Sequence, residues 1–558
     1  MYRPANFLRP GFLRAATLLA LLVCLVLPAA RAVGADGAAA AALRNRIEAG
    51  DSIAVRGLLL DRATLAKVYA ARSFAPLWED NPAWGPALIA ALASAGVDGL
   101  SPDILLPAAM RRAIDDPSLD AVDRELLLSD RFLAYASILA RGQTDPGSHW
   151  SDWGLLEPRF DPIAAAVKLA EGAGPDATLQ SLRPPSPDYG GLQKALAFYV
   201  GIAADGGWAT LPSISRLKPG ATGQAVKELR LRLASEGYLT AAQTSNPLFD
   251  GDLAQAVILF QRRHGLDPDG AVGPLTLAAL NVSAAQRADQ IRINLERWRE
   301  MPRLWPASRL EINVPAQMLS YYRDGKVALT SRVIVGDVRH HTPVLAAAVE
   351  RVILDPAWEI PVSIIANEIQ PRLRRDPGYL ARTHTVILGR NGGDPYGQDV
   401  DWSHTRILAR GWRLRQLPGA WNALGSVVLD MPNRFDVYLH DTPARNLFAR
   451  TQRALSHGCI RVEEVRVLAA SLLGLPALPP AGGPTRAVEL PAPIAVYLLY
   501  QTAFIDQEGA IEFRDDIYGR DEALARLLAA PTPSAPGALA VAETSCPGIP
   551  GALAGLAP

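Results

Sequence analysis

The sequence predicts a multidomain α+β chain: a helical N-terminal part, a small three-helix unit, and a mainly-β C-terminal part with an inserted lid. Three observations carry this prediction. The first is length: 558 residues, at roughly 100–200 residues per domain, make three or four domains. The second is a stretch of Ala/Leu-rich helical spacing over 42–210. The third is the change, from about residue 300, to short β-branched runs separated by turn signals. With 49% hydrophobic and 20% charged residues the chain has a globular composition. Its 56 Lys+Arg balance 56 Asp+Glu, so no basic surface for nucleic acid is expected. Three cysteines cannot staple such a chain, and they do not cluster like a structural zinc site.

Taken in order, residues 1–32 read as an export signal. Arg3, Arg9 and Arg14 form a positive n-region, Ala15–Leu27 an apolar run, and Ala30-Arg31-Ala32 a cleavage pattern. The run is about 13 residues, short of the ~20 that span a bilayer. Cys24 lies within it and is expected to leave with it; an uncleaved signal would leave a membrane-associated protein that still faces outward. In 42–210, Leu127, Phe132, Leu133, Ala136, Ile138 and Leu139 give one broad apolar helix face. Trp78, Trp84, Trp150 and Trp153 are read as core. Residues 216–281 form the second unit. One helix carries Val226, Leu229 and Leu233; another, after the turn at Phe249–Asp252, carries Ala256, Val257 and Phe260 and stops at His264-Gly265. His264 is read there as a cation at a helix C-terminus rather than a metal ligand.

Over 300–528, Leu310–Val314, Ser331–Val335, Glu350–Leu354, His384–Leu388, Ser426–Asp430 and Phe435–His440 read as strands, with a hairpin turn at Asp324-Gly325. Residues 361–421 interrupt the rhythm with Pro, Gly, Arg and Trp and are expected to be an irregular lid. A helix around Val465, Leu468 and Leu472 follows, and 529–558, with Cys546, is an Ala/Pro/Gly-rich tail expected to be disordered. From Ile291 to Ser471 there are 25 basic against 18 acidic residues, a local excess that suits an anionic substrate.

Two segments carry chemistry: Phe435-Asp436-Val437-Tyr438-Leu439-His440 and Ser456-His457-Gly458-Cys459-Ile460-Arg461. Strand alternation places Phe435, Val437 and Leu439 on one face, and Asp436, Tyr438 and His440 together on the other. Cys459 is read as lying just before a helix, whose N-terminus lowers a thiol pKa, with Gly458 allowing close backbone approach. A cysteine with an adjacent imidazole can attack a carbonyl and pass on the acyl group. Two other readings stand beside this one: an ordinary buried thiol, and zinc held by His440, His457 and Cys459. A cysteine phosphatase needs C-x5-R, and position 465 is Val.

Tyr438-Leu439-His440-Asp441-Thr442 followed by Ser456-His457-Gly458-Cys459-Ile460-Arg461 resembles the signature of L,D-transpeptidases with a YkuD-type catalytic domain. Ile312-Asn313-Val314-Pro315, Val335-Gly336, Thr342-Pro343, Asn422–Gly425 and Asp516–Asp521 extend the resemblance. Tyr69-x-x-Arg72-x-Phe74-x-Pro76-Leu77-Trp78 resembles the scaffold domain of the large YcbB-like subgroup. Gly223-x-x-Val226-x-x-Leu229, Gly237-Tyr238, Phe260-Gln261 and Gly270-x-x-Gly273 resemble a three-helix peptidoglycan-binding domain.

The resemblance implies Cys459 as nucleophile and His440 as general base, oriented by a backbone carbonyl near Asp441. It implies an oxyanion hole from Tyr438 and backbone N–H groups near Gly458 and Cys459, with His457 and Arg461 shaping the site or holding a substrate carboxylate. His340-His341 receive no role. It further implies formation of 3→3 peptidoglycan cross-links through a thioester with release of D-Ala, hence a part in cell-wall organization and cell shape. An L,D-carboxypeptidase with the same acyl-enzyme and a non-catalytic wall-binding scaffold are the alternatives. No cofactor is implied. Peptidoglycan stem peptides, a tetrapeptide donor and an amine acceptor, are the expected partners, with cell-wall synthesis proteins besides, on a monomer in the periplasm or cell envelope.

Overall fold

The computed structural model describes residues 33–212 and 217–529. The expected export signal with Cys24, and the tail beyond residue 529 with Cys546, lie outside them. Among the described residues no helix is long and apolar enough to cross a membrane.

The helical N-terminal part is organised by α1 (Ala121–Arg141), which starts where the Asp120 carboxylate accepts the Asp123 N–H at 2.9 Å. Leu126, Leu127, Phe132, Leu133, Ala136 and Leu139 are buried along it. Glu125, also buried, accepts the Tyr69 hydroxyl at 2.7 Å and the backbone N–H groups of Leu77 and Trp78. The Trp78 indole donates to Ser129 at 2.8 Å. The Tyr69–Trp78 segment is thus tied to α1 by polar bonds that stay dry. Helix α2 (Pro187–Ala204) follows.

The second unit consists of α3 (Gln224–Ala234), α4 (Gly251–Arg263) and α5 (Pro274–Leu280) around Val226, Leu229, Leu233, Phe249, Val257 and Phe260. Asp250 caps α4 through the Leu253 N–H at 3.0 Å. Buried Gln261 donates to the Ala271 carbonyl and accepts the Gly270 N–H, pinning the turn before α5. His264 departs from its expected cationic role. Its Nδ1–H donates to the Phe260 carbonyl at 2.8 Å, and its ring lies between Phe260 and Phe513. Burial drives its pKa well below the ordinary imidazole value, so the ring is neutral and part of an interface.

Helix α6 (Ala284–Arg299), started by a Ser283/Gln286 capping box, joins all parts. Asn294, fully buried, exchanges bonds with Thr502 of the C-terminal part. Arg299 donates to the Asp98 carbonyl and the Tyr189 hydroxyl in the N-terminal part. Tyr189, Leu192, Leu196 and Tyr199 of α2 share one hydrophobic core with α6 and the C-terminal sheet.

That sheet holds β1 (Trp153–Gly154), β2 (Arg309–Asn313), β3 (Met318–Arg323), β4 (Lys326–Gly336) and β5 (Val344–Leu354). After the lid come β9 (Val427–Asp430), β10 (Leu439–His440), β11 (Ala454–Ser456), β12 (Ile460–Val462) and β13 (Arg486–Leu499). The order is β9-β10-β12-β4-β3-β2-β13-β5-β1, with β11 added to β4, and β5 also pairs β9, which closes the ring. Asp324 and Gly325 both take positive φ, 52° and 78°, as a two-residue hairpin between right-twisted strands requires. The strand expected at Phe435–His440 is shorter: Asp436, at φ 53°, breaks it, and only Leu439–His440 join the ladder.

The lid also differs from expectation. β6 (Trp358–Glu359), β7 (Thr385–Leu388) and β8 (Arg413–Gln416) form a separate sheet in the order β6-β8-β7. Ile365, Ile369, Leu373, Trp402, Ile407 and Leu414 give it its own apolar core. Pro and Gly there mark the turns of a small folded body rather than an irregular loop.

Two carboxyl groups are buried at the end of α6, Glu296 and Glu300. Burial and the neighbouring Glu296 charge push Glu300 up to about 8. A carboxyl raised in the fold favours folding below its unfolded pKa, and that contribution is lost as pH rises toward 8. Glu300→Gln is therefore expected to unfold at a higher temperature than the parent at pH 8.5, by about 1–3 kcal/mol in stability, with the gap shrinking at pH 5. Thermal denaturation at both pH values measures this.

Candidate active site

The site is built on the parallel pairing of β10 with β12, in which Leu439 lies opposite Ile460 and His440 opposite Arg461. Leu439 and Ile460 point into the core and are fully buried. Alternation then turns Tyr438, His440, Cys459 and Arg461 to the other side. The Tyr438 and His440 rings meet at 5.6 Å between centroids. Four of the six expected site residues thus share one surface.

Cys459 does not sit at a helix N-terminus. It directly precedes β12, and the next helix, α7 (Val465–Leu472), begins six positions later. Its Sγ lies 3.9 Å from the Asp436 carbonyl. Burial raises the thiol above its ordinary range; bonds with the backbone and hydroxyl of Tyr438, and the Arg461 charge, oppose this in part. The Tyr438 hydroxyl itself accepts a bond from the Trp358 side chain on β6, at the foot of the lid.

His440 is 5% exposed, and burial together with the Arg461 guanidinium pushes it down to about 3. Its Nδ1 is buried and makes no well-aligned hydrogen bond, although the backbone of Asp441 and of Leu424 lies near enough to the ring to favour its charged form. The Asp441 carboxylate is engaged elsewhere, accepting the Ser426 N–H and hydroxyl at 3.0 and 2.9 Å. The resting pair is thus a neutral thiol and a neutral imidazole. Arg461 is half-buried with an unpartnered Nε, and no carboxylate among the described residues pairs with it.

Gly458 takes φ 108°, a conformation that favours glycine. Its N–H is already bonded to Ser456 Oγ at 3.2 Å, and Ser456 Oγ in turn donates to the Cys459 carbonyl at 2.6 Å. Thr342, fully buried, donates through its hydroxyl to the Gly458 carbonyl at 2.8 Å and accepts the Gly336 N–H at 2.9 Å. The Tyr518 hydroxyl accepts the Thr342 N–H and donates to the Gly336 carbonyl at 2.7 Å. At Gly336 a Cβ would lie 1.9 Å from the His340 carbonyl. These motif residues, without a role in the sequence, converge beneath the cysteine loop.

His457 turns outward. Its Nε2 is 2.6 Å from Glu368 on the lid, and its ring lies against His340, whose Nδ1 meets Asp337 at 3.0 Å. His341 instead stacks on Tyr518. His440, His457 and Cys459 therefore do not converge as metal ligands, and among the described residues no group of three or more His, Cys, Asp or Glu side chains does. Nothing in the sequence singled out Glu368 or Trp358, because lid residues reach the site only through the lid's own fold.

Three segments match protein-family models: residues 307–477 the L,D-transpeptidase catalytic domain (YkuD), 222–280 the "Putative peptidoglycan binding domain", and 63–196 the scaffold domain. A Haemophilus influenzae protein named "Putative L,D-transpeptidase" is 35% identical over 239 residues, 42% of this chain and 48% of the relative. The chain thus spans about half the length of this curated relative. Among solved structures, an L,D-transpeptidase from Xylanimonas cellulosilytica is 19% identical, covering 52% of this chain and 99% of that one, at a TM-score of 0.18. One from Stackebrandtia nassauensis is 15% identical, covering 52% and 96%, at a TM-score of 0.21.

Two predictions follow from the geometry. With the thiol raised and His440 lowered, alkylation of Cys459 by iodoacetamide is expected to accelerate with pH through and beyond pH 9. A rate plateau below pH 7 would mean a preformed thiolate–imidazolium pair instead. Thr342→Val leaves the buried Gly458 carbonyl and Gly336 N–H without this hydroxyl, and is expected to cost about 1–3 kcal/mol, read by chemical denaturation.

Proposed function

We propose that this chain, which carries a YkuD-type L,D-transpeptidase catalytic domain behind a scaffold domain and a peptidoglycan-binding-type unit, cross-links peptidoglycan stems through a thioester on Cys459. The observation that carries the reading is the shared surface of Cys459, His440, Tyr438 and Arg461 on the β10–β12 ladder. The donor is a tetrapeptide stem ending in a diamino acid and D-Ala. Its carboxylate meets Arg461, a guanidinium on the site surface with an unpartnered Nε and no carboxylate partner among the described residues. Cys459 Sγ attacks the carbonyl at the L-centre of the diamino acid while His440, neutral and so able to accept, takes the thiol proton.

Charge then develops on the carbonyl oxygen. The Gly458 N–H is held by Ser456, so the Cys459 N–H and the Tyr438 hydroxyl, which turns from the sulfur to the oxygen as the C–S bond forms, are the donors for that oxygen. Collapse breaks the C–N bond to D-Ala, whose nitrogen leaves with a proton from His440, and the acyl group stays on sulfur. The amine of a neighbouring stem attacks the thioester, loses a proton to His440, and forms the 3→3 amide as the thiol is restored. The lid, held to His457 through Glu368, keeps water from the thioester. The work takes place in the cell envelope, which the protein reaches by export.

Purified tetrapeptide stems incubated with the protein are expected to give cross-linked dimers and free D-Ala, and Cys459→Ala to give neither. Treatment with a carbapenem is expected to add one covalent adduct at Cys459 by intact mass. Dimer formation retained in Cys459→Ala would overturn the nucleophile assignment, and free tripeptide as the sole product would make water the acceptor.

A further inference from the structure

A cavity of ≈ 260 Å³ lies away from the cysteine, where the three-helix unit meets the catalytic domain. One wall is the His264–Pro268 segment after α4. The other comprises the β2–β3 turn at Pro315–Met318 and the loop Arg450–Arg453 that leads into β11 and on to the cysteine. The walls are fixed. Arg453 donates its guanidinium to the carbonyls of Val333, Gln317, Arg450 and Thr451, and its N–H to the side chain of Gln317, which is 2% exposed. On the facing side, Arg514 donates to the Arg263 carbonyl at 3.0 Å, and Gly265 packs so closely on it that a Cβ would lie 2.6 Å from its Cδ. A preformed polar cavity between two docked domains is where ligand sites concentrate.

Its charges are complementary to a zwitterion. Of the lining arginines, Arg332 pairs with Glu463, Arg514 with Glu512, and Arg453 is spent on backbone carbonyls, which leaves Arg450 with no ion pair among the described residues; Asp267, also without one, and Asp515, beside Arg514, supply the negative charge. Gln452 accepts from Gln317 at 3.4 Å, which leaves its amide N–H groups for a ligand. The volume lies just under the ~300–1,000 Å³ that encloses a drug-sized ligand, so the cavity suits the end of a peptide rather than a glycan strand. We propose that this cleft binds a second peptidoglycan stem that does not react, its carboxylate on Arg450 and its ammonium on Asp267 and Asp515. The inference rests on the function proposed above. Arg332 lines the cavity and Gly336 lies under the cysteine loop, four residues further along β4, about 13 Å at ~3.3 Å per residue. A stem whose third residue lies at Cys459 extends at most about 10–11 Å beyond it at ~3.3–3.6 Å per residue, so the stem reacting at Cys459 does not also fill the cleft. A stem held there raises the effective concentration of its neighbours at the cysteine.

The test uses the full chain with Cys459 blocked by a carbapenem, titrated calorimetrically with a tetrapeptide stem ending in a diamino acid and D-Ala. Binding is expected to persist in the blocked protein and to weaken by about tenfold or more in Arg450→Ala and in Asp515→Asn, both exposed positions, while carbapenem acylation proceeds at the parent rate. No binding to the blocked protein, or unchanged affinity in Arg450→Ala, would overturn the proposal. If no adduct forms, the proposed function fails instead, and the same titration of Cys459→Ala protein decides the cleft separately.

Discussion

Everything at this site depends on two residue pairs of parallel ladder, Leu439 with Ile460 and His440 with Arg461. Parallel neighbours cannot be joined by a tight turn and need a crossover. Here the crossover runs through β11, which pairs alongside β4 and brings the chain back to the cysteine. The apolar partners, Leu439 and Ile460, are fully buried. A slip of one residue would send them to the surface and the four polar side chains into the core, so burial enforces the register. The relative placing of thiol and imidazole is therefore a property of the core, bought nowhere in the flexible parts of the chain.

Below that ladder the polar support is dry. Thr342, Gly336 and Tyr518 join two distant segments to the Gly458 carbonyl. Burial also sets the resting charge: it disfavours both thiolate and imidazolium. Arg461 acts unequally on the two, favouring a charged sulfur and opposing a charged ring. In the described structure neither member of the pair carries charge on its own account.

The sequence made some of this legible. Alternation alone put Tyr438 beside His440, and the strands around 310, 331, 350 and 426 followed from β-branching. The alternation argument overextended toward Phe435, because nothing in Asp436 announces a left-handed backbone. The helix near Val465 was legible, yet not that β12 intervenes between it and Cys459: a three-residue strand carries too little pattern to be seen. His264 looked like a cap because its burial is created by Phe513, a residue far along the chain. The lid's core and the contact of Glu368 with His457 were illegible for the same reason: each depends on packing between segments that carry no local mark.

The scaffold's strand β1 and helix α2 have a wider consequence. Trp153 pairs with Val344 in the catalytic sheet, and Tyr189, Leu192 and Leu196 lie in the catalytic core. Domains that meet only across a modest polar surface come apart independently. Here the segments that read as modules share one apolar interior, and α6 bonds to both sides of it. The linear order of modules therefore says little about how the chain denatures: loss of the N-terminal helices exposes the catalytic interior, so cooperativity extends across boundaries that the sequence suggests are seams.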